Sequence, residues 1–267
     1  MTAADHEKLL TLCLDRAPGK VLRQREAPRP RKEEFQPTNS PASPSPVTDG
    51  QNVYVFFGDF GLISYSADGT ERWNLPLGPF NNQNGHGSSP ILAGRMVILV
   101  CDQDTDSYLL AVDRVTGKIR WKTPRPDSTR GYATPALYQP KNGPAELIVP
   151  GAFQVVSYSL STGERLWWIR GTAWQLKSVP VIDGDVIYVS GWETGGDTDP
   201  PEVLTWQQAL EKYVTNQEGK VTVLKAAAQW EILAINDLDD EVFATPAIDR
   251  GRIYLRTRGT LYCFAGL

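Results

Sequence analysis

The chain has 267 residues, of which 41% are hydrophobic and 10% aromatic, enough to bury a sizeable core in one domain. Its formal net charge of −4 at pH 7 provides no basic footprint, which argues against nucleic acid as a partner. No apolar run reaches the roughly 18 residues that a transmembrane helix needs.

The chain begins with two short apolar runs, LLTLCLD (9–15) and KVLRQRE (20–26), which predict two β-strands resembling the back half of a four-stranded unit. The first ten residues, MTAADHEKLL, contain no signal-peptide apolar segment, so the sequence leaves the compartment open. A Pro-rich connector follows, and its basic stretch RPRK (29–32) precedes two glutamates, which predicts a solvated loop.

From residue 43 onward, a pair of small residues followed by proline opens an apolar run five times. These prolines are Pro46, Pro90, Pro135, Pro180 and Pro246. They recur about every 45 residues, and the last step is longer by about 21, which is typical of a repeat architecture. Proline suits the first residue of a strand because that residue need not donate to the ladder.

Tryptophan is a second marker and closes each repeat, at Trp73, Trp121, Trp167 and Trp230. In the repeat 88–124, four short β-rich runs are separated by turns, which predicts an antiparallel meander. Such a unit cannot bury both of its faces alone, and radial stacking of several units gives a β-propeller. We therefore predict an all-β propeller of four-stranded antiparallel blades, with the four tryptophans as structural blade-docking residues.

The segment AVDRVTGKIRW (111–121) resembles the tryptophan-docking motif A-x-D-x-x-T-G-x-x-x-W of the PQQ-like (pyrroloquinoline-quinone) β-propeller repeat family, within the quinoprotein alcohol dehydrogenase-like superfamily. The motif recurs as SYSADGTERW (64–73), SYSLSTGERLW (157–167) and, without the Thr-Gly turn, GKVTVLKAAAQW (219–230). Four copies in register make the resemblance specific for the fold, although one propeller fold hosts many activities. The family is mostly bacterial and exported, so the resemblance implies a periplasmic location.

The repeats predict four full blades and a partial fifth. The full blades are 43–77, 88–124, 133–171 and 178–235, and an insert at about 193–218 interrupts the fourth. The chain ends on three strands, so we predict about five blades, the last closed in part by the N-terminal strands, in a single domain over 1–267. An incomplete or truncated larger ring is the alternative.

In a propeller, the connections after the second and fourth strands share one face, and here these are the long, polar loops. We therefore predict that this face binds a protein, or a polar small-molecule or glycan ligand, through donors and acceptors. The candidate residues are Asn81, Asn82, Asn84, His86, Asp102, Asp104, Asp106, Arg130, Tyr132, Trp174 and Lys177.

The alternating carboxylates Asp102, Asp104 and Asp106 are of the kind that calcium binds. Ser107, however, stands where a calcium loop has glycine, and Asp113 belongs to the docking motif. We interpret 102–106 as a solvated acidic loop and predict no metal site, and cation binding there stays open.

Histidine and cysteine are scarce. With only His6 and His86, a multi-histidine metal centre or a His-dependent triad is not expected. Cys13, Cys101 and Cys263 are widely spaced, which predicts buried small hydrophobic residues and no disulfide framework.

The resemblance leaves two classes of function open. The first is a non-catalytic binding or scaffold propeller, with the family's periplasmic outer-membrane assembly lipoprotein as the nearest functional model, no catalytic residue and no cofactor. The alternative is a PQQ- and calcium-dependent quinoprotein dehydrogenase or a degenerate relative of one. Those enzymes carry adjacent cysteines at the cofactor, which this chain lacks. We therefore expect a binding propeller that is not an enzyme.

Overall fold

The structure is a computed structural model that describes residues 1–5, 7–170, 172, 174–191, 220–225, 231–238, 240, 247–249 and 252–265. Internal contacts divide the chain into two compact units, Met1–Arg130 and Gly131–Leu267. The described residues form strands and turns without any helix, so no helix among them could cross a membrane. The all-β prediction is confirmed.

The first unit contains three antiparallel meanders among its described residues. Its strands are β1 (Thr2–Ala4), β2 (Leu9–Leu14) and β3 (Val21–Ala27) in the first sheet, β4 (Val47–Thr48), β5 (Asn52–Phe57), β6 (Gly61–Ser66) and β7 (Glu71–Pro76) in the second, and β8 (Ile91–Ala93), β9 (Met96–Cys101), β10 (Tyr108–Asp113) and β11 (Ile119–Pro124) in the third. Each strand pairs with its neighbours in sequence, and β4 lies beside β8.

The second unit repeats this plan in its described residues. Its strands are β12 (Ala136–Tyr138), β13 (Glu146–Gly151), β14 (Gln154–Ser159) and β15 (Arg165–Arg170), then β16 (Val181–Asp183), β17 (Val186–Gly191), β18 (Lys220–Lys225) and β19 (Glu231–Asp237), then β20 (Ala247–Asp249), β21 (Arg252–Arg256) and β22 (Leu261–Ala265). Strand β16 lies beside both β12 and β20, so the first strands of successive sheets are neighbours.

Local sequence explains where the strands start and turn. Strands β4, β8, β12, β16 and β20 each begin at the residue that follows a marker proline. The turns between first and second strands contain Gly50, Gly94 and Gly184, with φ of 88°, 57° and 56°. Glycine adopts this left-handed conformation without the steric cost that a Cβ would bring. The predicted strand openings and short turns are confirmed.

Adjacent sheets of the first unit pack face to face through apolar side chains. One cluster joins Phe56 of β5 with Leu99 of β9 and Leu110 of β10. A second cluster, on the other face of the same sheet, joins Ile63 of β6 with Leu9 of β2. All five side chains are fully buried. Burial on both faces explains why β5 is continuously apolar from Val53 to Phe57.

Trp73 docks the second sheet onto the third. Its indole Nε1 donates a hydrogen bond of 3.0 Å to the carbonyl oxygen of Arg114, in the turn after β10. Its ring lies against Gly117, where an added Cβ would come within 2.7 Å of the indole. Asp113 shapes this turn, because its Oδ1 accepts hydrogen bonds from the backbone of Val115 and Thr116.

The other predicted docking tryptophans differ in outcome. Trp167 packs against the core cluster of the second unit, and its Nε1 donates to Glu146 Oε2 over 2.9 Å. Trp121 is half-buried opposite Ala111. Trp230 lies outside the described residues, and the equivalent register position, opposite Val223, belongs to Ala234.

The N-terminal strands β1, β2 and β3 form a three-stranded sheet of their own. Its first strand, Thr2–Ala4, was not predicted from the sequence. The described residues therefore contain four four-stranded sheets and two three-stranded sheets. The five-blade count and the single domain over 1–267 stay predictions. Strand β17 ends at Gly191, which pairs with Lys220 of β18, and the predicted insert at 193–218 lies outside the described residues.

The prediction that all three cysteines are buried is wrong for two of them. All three are free thiols, and Cys101 is buried, whereas Cys13 and Cys263 are exposed. Burial along β2 falls from its first residue to its last, which leaves Cys13 near the exposed end. Cys263 lies on β22, the edge strand of a three-stranded sheet, and β21 is its neighbour among the described strands.

Candidate functional site

Five connections of the first unit hydrogen-bond to one another, and we call them together the loop surface. They are residues 28–46, 58–60, 77–90, 102–107 and 125–130. Each follows a second or fourth strand of the repeat or its N-terminal equivalent, as the sequence analysis predicted.

The connector 28–46 is fixed to the second sheet by arginines. Arg29 Nε donates to Asp59 Oδ2 over 2.7 Å, and the backbone N–H of Glu33 donates to the other carboxylate oxygen over 3.1 Å. Arg31 donates to the carbonyl oxygens of Gly58, over 2.9 Å, and Leu77. Asp59 is only 1% exposed, so these contacts hold the connector firmly on the loop surface.

Glu33 joins the connector to the loop that follows β7. Its Oε1 accepts hydrogen bonds from Arg31 Nε, over 2.6 Å, and from the backbone N–H of Phe80, over 2.8 Å. Burial nevertheless raises the pKa of the Glu33 carboxyl above its ordinary value, and the two hydrogen bonds offset only part of that effect.

The asparagines of residues 80–86 divide into two groups. Asn82 is buried and donates to the carbonyl oxygen of Asp102 over 3.2 Å. Its Oδ1 accepts from the backbone N–H of Asn84, whose own carbonyl accepts from Asn39 over 2.6 Å. Asn81 is exposed and contacts the loop after β9, donating to Thr105 Oγ1 over 2.6 Å. Asn82 and Asn84 therefore hold the loop, and Asn81 faces solvent.

An open cleft of about 310 Å³ lies on the loop surface. Its lining combines carboxylates, amides and one aromatic ring: Glu33, Glu34, Phe80, Asn81, Asn82, Gln83 and Asp104. Glu34, Asn81 and Gln83 are exposed, so their side chains are available to a ligand. The chemistry favours a partner that donates hydrogen bonds to acidic and amide oxygens.

His86 is buried behind this cleft, at 5% exposure. Its ring makes edge contacts with Phe80 and Phe56, with centroid distances of 4.2 and 5.4 Å. Its buried Nε2 has no hydrogen-bond partner in the described part of the chain. Burial, aided by the charge of Arg31, lowers the pKa of His86 to about 4. His86 is therefore a neutral packing residue at pH 7, and its role in binding stays a prediction.

The free energy of unfolding is expected to fall as the pH is lowered from about 6.5 to 4, because unfolded His86 takes up a proton that the folded state excludes. The penalty from this group reaches about 3 kcal/mol and is constant below that range. His86→Phe should remove this part of the slope, since phenylalanine fits an aromatic cluster. Urea unfolding of both proteins across the pH range measures it, and identical slopes would contradict the expectation.

Two of the three carboxylates of the predicted acidic loop are paired with arginines. Asp102 and Arg125 form a buried pair, with Nε–Oδ1 and Nη2–Oδ2 distances of 2.7 and 3.0 Å. Asp104 makes a similar two-point contact with Arg130 nearer the surface, with an Nη2–Oδ2 distance of 3.0 Å. Asp106 is exposed, with a φ of 59°. In the described residues no three His, Cys, Asp or Glu side chains are grouped to hold a metal ion.

Three predicted site residues belong to the second unit. Tyr132 is half-buried, Trp174 is 6% exposed and Lys177 is exposed. Their role in binding stays a prediction, as does that of the other candidates.

The sequence analysis missed Glu33, Glu34, Phe80 and Gln83 as lining residues and Arg125 as the partner of Asp102. Glu33 and Glu34 were assigned to a solvated connector, and only tertiary contacts bring that connector to the cleft. An available signal was the run of charged residues in 29–34, because charged side chains can fix a loop through ion pairs and hydrogen bonds.

The chain matches the family model of outer membrane protein assembly factor BamB over residues 11–212. No curated protein matches it at a significant level. Among solved structures, BamB from Moraxella catarrhalis superposes with a TM-score of 0.51 at 12% identity, covering 98% of this chain and 95% of that chain.

Two solved enzymes are also similar in fold. The quinohemoprotein alcohol dehydrogenase ADHIIG from Pseudomonas putida HK5 has a TM-score of 0.50 at 13% identity, covering 89% of this chain and 41% of that chain. A europium-containing methanol dehydrogenase has a TM-score of 0.52 at 11% identity, covering 90% and 51%. At these identities the likeness shows the fold alone, a PQQ-like β-propeller. The extent of the family match shows more: this chain belongs to the outer membrane protein assembly factor BamB family.

Proposed function

We propose that this chain is a non-catalytic binding propeller whose cleft on the loop surface recognises a protein partner or another polar ligand, such as a glycan. Membership of the BamB family supports a binding or scaffold role. The family's description, outer membrane protein assembly factor, supports a protein partner in that process and an exported, periplasmic location.

The cleft is the observation that carries the proposal. It presents exposed Glu34, Asn81 and Gln83 on loops that are held by buried hydrogen bonds and ion pairs. Preorganised polar groups bind without paying again for the ordering of their loops. The cleft lining is rich in carboxylate and amide groups, which recognise a polar ligand by donating and accepting hydrogen bonds.

Capture of a partner by the immobilised chain, from a bacterial envelope extract or a glycan array, tests the proposal. The double variant Glu34→Gln with Gln83→Ala should reduce recovery of the partner about tenfold, since two central polar contacts are lost. The matched control carries the same two changes outside the loop surface, at Glu71→Gln and Gln51→Ala. Equal recovery by the wild type and the cleft variant, or equal loss in the control, would refute the site.

The second candidate is a PQQ- and calcium-dependent dehydrogenase, which the fold likeness to two such enzymes favours. Two observations support the binding proposal over this one: Cys13, Cys101 and Cys263 are far apart in sequence, and the described residues contain no group of three His, Cys, Asp or Glu side chains placed to hold a metal ion. Adding PQQ and calcium to the purified chain, and following quinone absorbance and dye reduction, decides between the two. Turnover of an alcohol would overturn the binding proposal.

A further inference from the structure

The outer edge of the third four-stranded sheet differs from its counterparts in the first unit. Strand β15, with the sequence RLWWIR, is the last strand in the order β12-β13-β14-β15, and no described strand pairs with its outer side. Every second residue of an edge strand directs its backbone N–H and C=O away from its neighbour, which makes a template for another strand.

Register comparison shows what is unusual about β15. Trp168 directly follows the docking residue Trp167 and pairs with Val156. The residue at this position is polar on the last strands of the first unit's sheets, where β3, β7 and β11 carry Gln24, Asn74 and Lys122. The last register position of β15 holds Arg170, where β7 and β11 have Pro76 and Pro124. Ile235 takes the Trp168 position on β19. Polar residues and proline are the usual protection of sheet edges, and β15 has neither the polar residue at the first of these positions nor the proline at the second.

Apolar surface is exposed along this edge. Trp168 is 46% exposed and Leu166, at the β-bulge of the same strand, is 45% exposed. The guanidinium of Arg165 lies over the Trp168 ring, 4.0 Å from its centroid. Arg170 is two residues after Trp168 and so lies on the same face of the strand. The edge therefore presents an indole between two guanidinium groups.

We propose that the outer edge of β15 is a docking strand for an extended segment of a partner protein that carries carboxylates on either side of an apolar residue. Backbone pairing would supply affinity, and side chains at alternate positions would supply specificity. Strand β15 contains two arginines and no acidic residue, so charge complementarity selects an acidic partner.

A second copy of this chain is the less suitable occupant. Pairing β15 with itself would bring four guanidinium groups onto one short ribbon without a carboxylate in either strand. Like charges facing each other across paired strands are destabilising.

A labelled synthetic peptide of alternating glutamate and valine is the probe, titrated against the full chain by fluorescence anisotropy. The analogue with lysine for glutamate should bind at least about tenfold more weakly, and so should an N-methylated acidic peptide that cannot complete the backbone ladder. Both comparisons leave the protein unchanged, so they do not depend on the folding of any variant.

Sister blades supply the protein variants. Trp168→Asn and Arg170→Pro introduce the residues of β7 at the equivalent positions, and each should weaken acidic-peptide binding about tenfold without changing the circular dichroism spectrum. Asn74→Ser on β7 is the control and should bind as the wild type does. The proposal would be overturned if the acidic peptide did not bind, or if acidic and basic peptides bound equally. It would also be overturned if N-methylation left binding unchanged, or if both variants bound with wild-type affinity. If the chain self-associated and Arg170→Pro abolished that association, the occupant of the β15 edge would be a second copy of this chain and not an acidic strand of another protein.

Discussion

Arg125→Ala is expected to lower the free energy of unfolding by about 3–5 kcal/mol, because it leaves the buried carboxylate of Asp102 without its cation. Both side chains of this pair are fully buried and meet through two hydrogen bonds of 2.7 and 3.0 Å. An uncompensated charge in that position cannot be rehydrated without opening the loops around it. Urea unfolding followed by circular dichroism measures the loss.

The chain provides a matched control two residues away from Asp102. Asp104 and Arg130 join the same two loops through the same kind of contact, but their side chains are 32% and 15% exposed. Arg130→Ala should therefore cost less than about 1 kcal/mol, since water and salt screen the pair. Similar losses for Arg125→Ala and Arg130→Ala would contradict the argument from burial.

A double replacement separates two contributions to this loss: the cost of leaving the Asp102 carboxylate unpaired, and the stabilisation that the intact ion pair itself provides. Asp102→Leu with Arg125→Met removes both charges and fills the space with apolar groups. Replacing a buried pair in this way is often neutral, so the double variant should recover most of the stability that the single variant loses. A double variant as unstable as Arg125→Ala would show that the hydrogen bonds themselves, and not the stranded carboxylate, set the cost.

The pair has a consequence for the candidate site. Asp102 begins the loop after β9, and Arg125 begins the loop after β11. The backbone N–H of Arg125 also donates to the carbonyl oxygen of Ser107 over 2.7 Å. Asn82 donates to the carbonyl of Asp102, so the cleft loop depends on the same anchor. Asp102 was predicted as a residue of the binding face; its carboxylate is fully buried against Arg125, and its role in binding stays a prediction.

The periodic features of the chain were predictable because their physics is local. Proline fixes φ and removes a donor, so each marker proline announced the first residue of a strand. Glycine with positive φ and the docking tryptophan are also local signals, as at Gly94 and Trp73. The alternating carboxylates of 102–106 had no such local rule. Their partners Arg125 and Arg130 lie more than twenty residues away, so only the packed sheet shows that they are neutralised.

Register shows how the fourth full blade differs from the first three. In the first three full blades, the β-bulge comes directly after the third-strand residue that pairs with the docking tryptophan. In the second sheet, for example, Ser64 pairs with Trp73 and the bulge lies between Ser64 and Tyr65. In the fourth, the bulge lies between Val223 and Leu224, which puts Ala234 at that position. Trp230 itself lies outside the described residues, so its docking role stays a prediction. The fourth copy of the motif lacks the Thr-Gly turn, and its last strand reaches the docking register at a later residue than in the other copies.

Trp73→Ala is expected to lower the free energy of unfolding by about 3 kcal/mol, the second large effect, because the indole fills the seam between two sheets. The ring packs against the core cluster that both sheets share and lies 6.0 Å from the Tyr54 ring, centroid to centroid. Trp73→Phe keeps most of the packing but loses the hydrogen bond to the Arg114 carbonyl. The free energy of unfolding should therefore fall by the cost of the smaller ring and by about 1 kcal/mol for the lost hydrogen bond.

Gly117→Ala tests the same contact from the other sheet. Gly117 has a φ of 72°, and an added Cβ would lie within 2.7 Å of the Trp73 ring. The substitution therefore combines backbone strain of about 1 kcal/mol with a collision against the indole. In the Trp73→Ala background the collision disappears and only the backbone strain is left. The double variant should be more stable than the sum of the two single losses predicts, by about 1 kcal/mol or more.

Urea unfolding of the four proteins in this cycle measures the coupling. Additive losses would mean that the indole does not rest on Gly117, and the seam between the second and third sheets would need another explanation. A positive coupling would identify the turn after β10 as the surface that receives the tryptophan. It would also explain why the motif ends its turn with Thr-Gly: any side chain at Gly117 would occupy the space that the neighbouring indole fills.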